Sequence, residues 1–235
     1  MSSPSPSSCP KAWLAWSTGK DSAWALHTVR RRGDFEIVAL LTTLNSDHQR
    51  VAMHAVRESL LELQAAAAEL PLVKVMIPLL CRNDAYEQVM GEAMLRAKEE
   101  GVSHVIYGDL FLEDIRAYRE KQLSSCGMTP VFPLWRCDTR RLAEEMLAGG
   151  LSAYLTCIDP RKIGREFAGR RFDAGLLAAL PPSVDPCGEN GEFHSFACAG
   201  PMFRNAISVT LAEIMERDGF VFADLIPGTD AMVTA

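Results

Sequence analysis

Short apolar runs alternate with helical patterns through the first half of the chain, and this alternation constrains the fold more than any other feature. Runs with the length and composition of buried strands lie at 12–16, 35–43, 72–77 and 102–107. Patterns typical of helices lie at 21–32, 49–69 and 83–100. We therefore expect a parallel sheet with helices on both faces and a ligand site at the carboxyl ends of its strands.

The sequence beyond about residue 133 has a different character. A helical pattern covers 138–148, and a long non-periodic stretch rich in turn residues follows it. Strand patterns then lie at 193–197, 207–211 and 220–225, with the hairpin signal Asp218-Gly219 before the last of them. This half is therefore predicted to form a smaller α+β domain with antiparallel strands.

We accordingly predict an α/β protein divided into four segments. Residues 1–11, rich in Ser and Pro, form a disordered tail. Residues 12–134 form the parallel-sheet domain, residues 135–228 form the smaller domain, and residues 229–235 form a second tail. The longest apolar stretches are short or broken by Pro and Lys, so no membrane partner and no membrane-spanning segment are expected.

Charge and cysteine usage exclude several further classes of protein. A net charge of −6 argues against a nucleic-acid partner. The seven cysteines contain no C-x-x-C pair, which argues against a disulfide framework or structural zinc and favours the cytoplasm. We expect Cys187 and Cys198 to be packing residues. One basic cluster could form either an anion-binding site or a solvated surface, and it comprises Arg161, Lys162, Arg165, Arg170 and Arg171.

A small-residue loop, Ser17-Thr18-Gly19-Lys20-Asp21-Ser22, joins the first predicted strand to the first predicted helix. Unpaired N–H groups at the positive end of a helix bind phosphate, and Lys20 adds a mobile cation. Ser17 and Ser22 can donate hydroxyls to phosphate oxygens, and Asp21 is a candidate ligand of Mg²⁺. The spacing is neither that of a Walker site nor that of a dinucleotide fingerprint, so these residues alone also allow a plain capped helix.

The same loop resembles the S-G-G-x-D-S loop of the N-type ATP pyrophosphatases, with Thr18 in place of a glycine. We expect that this position does not need a positive φ and that the Thr18 hydroxyl lies near the phosphates. Three further segments continue the resemblance in order, at 108–119, 133–135 and 188–194. Together they resemble the diphthine-ammonia ligase family, in its bacterial branch, over roughly residues 12–228.

This resemblance implies a HUP-type, Rossmann-like nucleotide-binding domain of the adenine nucleotide α-hydrolase superfamily, followed by a substrate domain. It implies that ATP is cleaved to AMP and pyrophosphate with Mg²⁺, that a carboxylate substrate is adenylated, and that ammonia captures the acyl-adenylate. The implied catalytic residues are Lys20, Asp21, Glu192 and His194. The implied nucleotide-binding residues are Ser17, Thr18, Gly19, Lys20, Asp21, Ser22, Gly108 and Asp109. The implied substrate-binding residues are Arg116, Tyr118, Arg119, Glu189, Asn190, Glu192 and His194.

Several of these residues have alternative explanations. Asp109 could hold Mg²⁺ or nucleotide at a strand end, or it could cap a helix. Glu192 and His194 share one side of the next strand if it begins there, and could bind ammonium or accept a proton. Without the family motif, His194 would more simply be a structural residue. Ser195 keeps the hydroxyl of the threonine frequent in the family, and Trp135 is expected to be a packing residue.

The sequence leaves the acceptor and the assembly open. The acceptor is either a protein side chain or a small molecule, ammonia is either free or delivered by a partner, and a homodimer is left open. Two other functions fit the same residues. One is another ATP pyrophosphatase acting on a small molecule or an RNA base, and the other is a non-catalytic ATP-binding sensor.

Overall fold

The structure is a computed structural model that describes residues 9–46, 50–51, 56–78 and 83–229. Most of the two predicted tails, at 1–8 and 230–235, lies outside the described residues. Within the described part of the chain, no helix is long and apolar enough to cross a membrane.

A mostly parallel sheet forms the first half. Its parallel strands are β1 (Lys11–Ala15), β2 (Glu36–Asn45), β4 (Leu72–Ile77), β5 (Val102–Ile106) and β6 (Thr129–Val131). They lie in the order β4-β2-β1-β5-β6, and the short strand β3 (Arg50–Val51) pairs antiparallel with the end of β2. The strand order reverses between β1 and β5, so the carboxyl ends of these neighbours form a topological switch point.

Helices cover both faces of this sheet. The helices α1 (Lys20–Arg32) and α2 (Glu58–Ala68) pack on one face, and α3 (Asn83–Glu99) and α4 (Glu113–Ser125) pack on the other. Successive side chains of a strand point to opposite faces. Accordingly Leu14 of β1 joins the core beneath α1 and α2, while Trp13 joins the core beneath α3 and α4.

The prediction of a helix over 49–69 is wrong at its start. Arg50–Val51 is a strand, and α2 begins only at Glu58. Pairing with the end of β2 satisfies the backbone groups of Arg50–Val51, and this tertiary contact overrides the local helical pattern. Residues 49 and 52–55 lie outside the described part of the chain.

The second half forms an antiparallel sheet, which confirms the predicted fold class. Its strands are β7 (Ser152–Ile158), β8 (Arg171–Phe172), β9 (Phe193–Ala199), β10 (Val209–Arg217) and β11 (Phe220–Pro227). Strand β7 pairs with β8, β9 and β11. Strands β10 and β11 form the predicted hairpin, because Asp218 and Gly219 have the positive φ values, 53° and 79°, of a type I′ turn.

Helical segments flank this second sheet. They are α5 (Thr139–Ala148), a 3₁₀ turn at Arg165–Phe167, and α6 (Ala174–Ala179). Asp138 accepts a hydrogen bond from the backbone N–H of Arg141 and so caps α5.

The two halves share one apolar core. Leu26 and Leu60 of the first half belong to the same buried cluster as Phe196 and Val221 of the second. An ion pair also joins the halves, since the Asp224 carboxylate accepts from Arg57 at 2.6 Å and from Arg50 at 2.8 Å. The second sheet therefore packs on the side of the first sheet that is covered by α1 and α2.

Candidate active site

A cleft of about 980 Å³ lies at the topological switch point. It is lined by the loop after β1, by the residues after β5 and by the segment 187–195 of the second half. Gly108 permits a close approach, because a β-carbon there would lie 2.9 Å from the backbone of Asp21. The structure thus brings the predicted phosphate loop and Gly108-Asp109 to one place.

The loop after β1 ends in the first turn of α1. Gly19 has extended backbone angles, and the helix begins at Lys20. The hydroxyl oxygens of Ser17 and Ser22 lie 3.2 Å apart, and the Ser22 hydroxyl donates to the carbonyl of Gly19 at 3.0 Å. Both serines line the cleft beside a helix N-terminus, where backbone N–H groups and the helix dipole favour an anion.

The expectation that position 18 does not need a positive φ is wrong. Its φ is +72°, in the left-handed region that disfavours a β-branched residue. The side chain is fully buried and is absent from the cleft lining, and its hydroxyl has no hydrogen-bond partner among the described residues. Such a conformation costs about 1 to 3 kcal/mol and persists only where surrounding contacts impose it.

Gln64 of α2 supplies those contacts, and sequence reasoning missed it. Its side-chain amide donates to the carbonyls of Thr18 at 2.9 Å and Ala197 at 2.6 Å, and accepts from the indole N–H of Trp16 at 2.8 Å. The backbone N–H of Ala197 donates to the same Thr18 carbonyl at 2.9 Å. This network fastens β9 to the loop. The only sequence signal is a glutamine within an Ala- and Leu-rich helical pattern.

Lys20 is a buried bridge between the halves rather than a mobile cation. Its side chain is 1% exposed, and its ammonium donates to the Asp21 carboxylate at 2.8 and 2.9 Å and to the carbonyl of Cys187. The ammonium also lies over the rings of Phe172 and Phe193. Burial lowers the pKa of this ammonium, but Asp21, Cys187 and Glu189 together outweigh burial and the net shift is upward. Lys20 therefore stays charged at neutral pH.

A buried carboxylate holds the loop that reaches the cleft from the second half. The Oε1 atom of Glu192 accepts from the backbone N–H of Asp185 at 3.0 Å and from the side chain of Asn190 at 3.2 Å. Gly188 and Gly191 turn the chain with φ values of 74° and 75°, which favour glycine. Glu192 does not line the cleft, so its carboxylate is not brought together there with His194.

Glu189 is the carboxylate of this loop that lines the cleft. Its Oε1 atom accepts from the backbone N–H of Leu110, just beyond β5, at 2.7 Å. Burial raises the pKa of Glu189 to about 7, against the opposing effect of the Leu110 N–H and with the help of the Asp21 carboxylate. The group therefore titrates near neutral pH, as active-site acids and bases do.

His194 and Ser195, at the start of β9, have different tasks. The imidazole of His194 lines the cleft, and burial, together with the Lys20 charge, lowers its pKa to about 4. The ring is therefore neutral at pH 7. Ser195 accepts a hydrogen bond from the backbone N–H of Lys20 at 3.2 Å, so it caps the first turn of α1 from the other half of the protein.

Asp109 and Arg119 form an ion pair on the cleft wall. The Nε atom of Arg119 donates to Asp109 at 2.6 Å, and the guanidinium stacks on the Tyr107 ring at 4.2 Å. The alternative that Asp109 caps a helix is wrong, because the residue that caps α4 is Leu112.

The other predicted substrate residues divide between the cleft and its exterior. Tyr118 and Asn190 line the cleft, whereas Arg116 does not. The guanidinium of Arg116 lies over the rings of Phe132 at 4.9 Å and Trp135 at 4.7 Å. Trp135 is therefore a packing partner of α4, as expected.

The basic cluster at 161–171 does not form one surface. Arg161 and Lys162 line the cleft, but Arg165, Arg170 and Arg171 do not. Arg161 pairs with the carboxylate of Asp159 at 2.8 Å, and Lys162 donates to the carbonyl of Asn190 at 2.6 Å. Two of the five basic side chains therefore reach the cleft, and both are held by neighbouring groups.

A switch point beside a helix N-terminus, with a loop from a second sheet against it, is typical of α/β proteins of the nucleotide-binding class. Comparison with known proteins narrows this class to one family. The chain belongs to the diphthamide synthase family, whose N-terminal domain matches residues 10–130 and whose C-terminal domain matches residues 138–224. The resemblance inferred from the motifs is thereby confirmed.

Curated relatives cover most of the chain at low identity. The diphthine-ammonia ligases of Rattus norvegicus and Bos taurus are each 25% identical to it, over 88% of this chain and 85% of the relative. The diphthine-ammonia ligase of Schizosaccharomyces pombe is 28% identical over 38% of this chain and 16% of the relative. These relatives support an ATP-dependent ligase family.

Proposed function

We propose that this protein is an ATP-dependent carboxylate-ammonia ligase similar to the diphthine-ammonia ligases. A substrate carboxylate attacks the α-phosphorus of ATP, pyrophosphate leaves, and ammonia then displaces AMP from the acyl-adenylate to form an amide. The observation that supports this best is the meeting of the α1 N-terminus with Glu189 and His194 in one cleft. A phosphate site and proton-handling groups are thereby adjacent, which favours reaction between bound partners.

The loop after β1 is suited to hold the triphosphate. The hydroxyls of Ser17 and Ser22 and the first N–H groups of α1 are donors for phosphate oxygens. Lys20 adds positive charge from its buried position at the start of α1, where hydrogen bonds to Asp21 and to the carbonyl of Cys187 fix its ammonium. Donors and charges that are already in place stabilise the leaving pyrophosphate without reorganisation.

The donor set fits one Mg²⁺ ion shared with the phosphates. The described residues contain no group of three His, Cys, Asp or Glu side chains that could build a metal site from protein alone. Mg²⁺ commonly takes one or two carboxylates together with substrate phosphates and water, and Asp21 lines the cleft with 27% of its side chain exposed. Asp21 would hold the ion, which would neutralise phosphate charge when bound.

Ammonia would be captured beside Glu189 and His194. Ammonium must lose a proton before it can attack, and the attacking nitrogen must lose another to form the amide. Glu189, with its pKa raised to about 7 by burial, can accept a proton near neutral pH, and the neutral His194 ring can accept a hydrogen bond from ammonia. Glu192 would contribute indirectly, because it holds the side chain of Asn190 and the backbone of the loop.

Pyrophosphate release by the purified protein tests this function. We expect release to depend on an added carboxylate, and amide to form only when ammonia is also present. Glu189→Gln and His194→Ala should each lower turnover by roughly 10² to 10⁴ while ATP affinity changes little. The matched control is Asp218→Asn, because Asp218 lies in the exposed hairpin turn. ATP cleavage that ignores ammonia would favour another ATP pyrophosphatase, and ATP binding without cleavage would favour a sensor.

A further inference from the structure

The cleft continues from the phosphate loop into a branch between α3 and α4, here called the helical branch. Apolar and aromatic side chains from both helices line it, namely Tyr86, Met90, Met94, Ile115, Tyr118 and Leu123. The phosphate loop and the Glu189 loop are polar, whereas in the branch polar side chains such as Glu87, Arg119 and Gln122 stand beside these apolar ones. The helical branch therefore has a different chemistry and needs a different occupant.

The branch leads from exposed apolar groups to buried ones. Ile115 and Tyr118 are 37% and 40% exposed, whereas Met94 and Leu123 are 3% and 2% exposed and belong to the core beneath the helices. Exposed apolar side chains within a concave surface are the groups that an apolar ligand covers. The hydrophobic effect would favour such a ligand in proportion to the area covered.

The charged side chains of the branch are already paired. Gln122 donates to the carboxylate of Glu87 at 2.9 Å and so links α4 to α3. Arg119 pairs with Asp109 at 2.6 Å. A strongly polar ligand body would lose hydration here without equivalent new partners, which disfavours it.

The branch lies on the side of the phosphate loop where the acceptor is proposed to react. The Glu189 carboxylate accepts a hydrogen bond from the N–H of Leu110, just beyond β5, and Arg119 forms its ion pair with Asp109 at the same strand end. Leu41, Thr43 and Ile77 also line the cleft, and they come from β2 and β4, which lie on the other side of β1 from β5. That side is left for the nucleoside.

We propose that the helical branch binds the hydrocarbon body of the acceptor, and that this acceptor is a small carboxylic acid with an aromatic or aliphatic body. Its carboxylate would point out of the branch toward the phosphate loop. The direction of the carboxylate rests on the proposed function, whereas binding of an apolar acid in the branch can be measured without any turnover.

Calorimetric binding to the full chain tests the proposal, with α,β-methylene ATP present so that no adenylate forms. The probes are 3-phenylpropionate and succinate, which share a carboxylate but differ at the other end, where the former carries an apolar ring and the latter a second carboxylate. We expect 3-phenylpropionate to bind roughly tenfold or more tightly than succinate, because its ring and methylenes leave water. Ile115→Asp should abolish this preference, and the exposed position of Ile115 means that the fold should tolerate the change.

Ile214→Asp is the matched control, since Ile214 is 50% exposed on β10 and lies outside the cleft. This variant should bind α,β-methylene ATP, 3-phenylpropionate and succinate with the affinities of the wild type. Equal affinity for the two acids, binding of neither acid, or an unchanged preference in Ile115→Asp would overturn the proposal. An Ile115→Asp variant that loses nucleotide affinity alone would also overturn it, by showing that the nucleoside occupies the branch. Failure of every carboxylate to trigger pyrophosphate release would count against the ligase function and leave the binding result intact.

Discussion

Replacing Lys20 with methionine tests the buried bridge at the centre of the site. Methionine keeps the approximate length of the side chain but removes an ammonium that donates to Asp21 at 2.8 and 2.9 Å and to the Cys187 carbonyl. Removing one partner of a buried ion pair costs about 3 to 5 kcal/mol. The 27% exposure of the Asp21 side chain allows water to compensate part of this loss. We therefore expect a loss of about 3 kcal/mol in the free energy of unfolding.

Urea denaturation at neutral pH measures this loss, with the dependence on urea expected to be unchanged. The double variant Lys20→Met/Asp21→Asn should recover most of the stability, because it leaves no unpaired carboxylate. Arg204→Met is the control, since it breaks only an exposed pair with Glu69 and should cost less than about 1 kcal/mol. Wild-type stability in Lys20→Met would refute the bridge, and an equal loss in the double variant would refute the unpaired carboxylate as its cause.

Three further variants test the loop and its surroundings. Thr18→Gly should raise the free energy of unfolding by about 1 kcal/mol in urea denaturation, because glycine relieves the strain of a +72° φ, and a loss of stability would contradict this. Gly108→Ala should lower the same free energy by about 1 to 3 kcal/mol through its 2.9 Å approach to the backbone of Asp21, whereas Gly91→Ala, with open space around it, should not. Burial holds the Glu189 pKa at about 7 in the folded state against an ordinary value of 4.5, so Glu189 makes stability fall as pH rises between these values, whereas His194, with its pKa lowered from 6.5 to about 4, makes it rise over most of the same range. Each pKa unit is worth about 1.4 kcal/mol before solvent screening, and Glu189→Gln should lose only the Glu189 contribution, so its stability should rise with pH relative to the wild type in denaturation curves recorded from pH 4 to 8.

The fold could be predicted from the sequence because its strands and helices have the periods that their burial requires. Leu72–Ile77 is a strand with the bounds that its apolar run indicates. The hairpin at Asp218-Gly219 follows from residues that tolerate positive φ. The start of α2 could not be predicted, because Arg50–Val51 is a strand only through its pairing with β2. Local periodicity contains no information about such a contact.

The meeting of the predicted site segments could be predicted from the sequence, but the surroundings of their side chains could not. The loop after β1 and the segment at 188–194 do meet at one cleft. The environments of individual side chains depend on contacts between the halves, which no local pattern encodes. For this reason Lys20 is a fixed bridge, Thr18 is strained and buried, and Gln64 is a central partner that the motifs do not include.

The core shared by the two halves limits how this family can diverge. Leu26 and Leu60 pack with Phe196 and Val221, so the second half completes the burial of α1 and α2. If the second half were replaced by that of a distant relative, the surface that packs on these helices would no longer fit them. The same exchange would also replace the strand that fastens Thr18 through Ala197. New acceptor specificities should therefore arise by substitution of residues that line the cleft. A chimaeric protein should fold only when α1 and α2 are exchanged together with the second half.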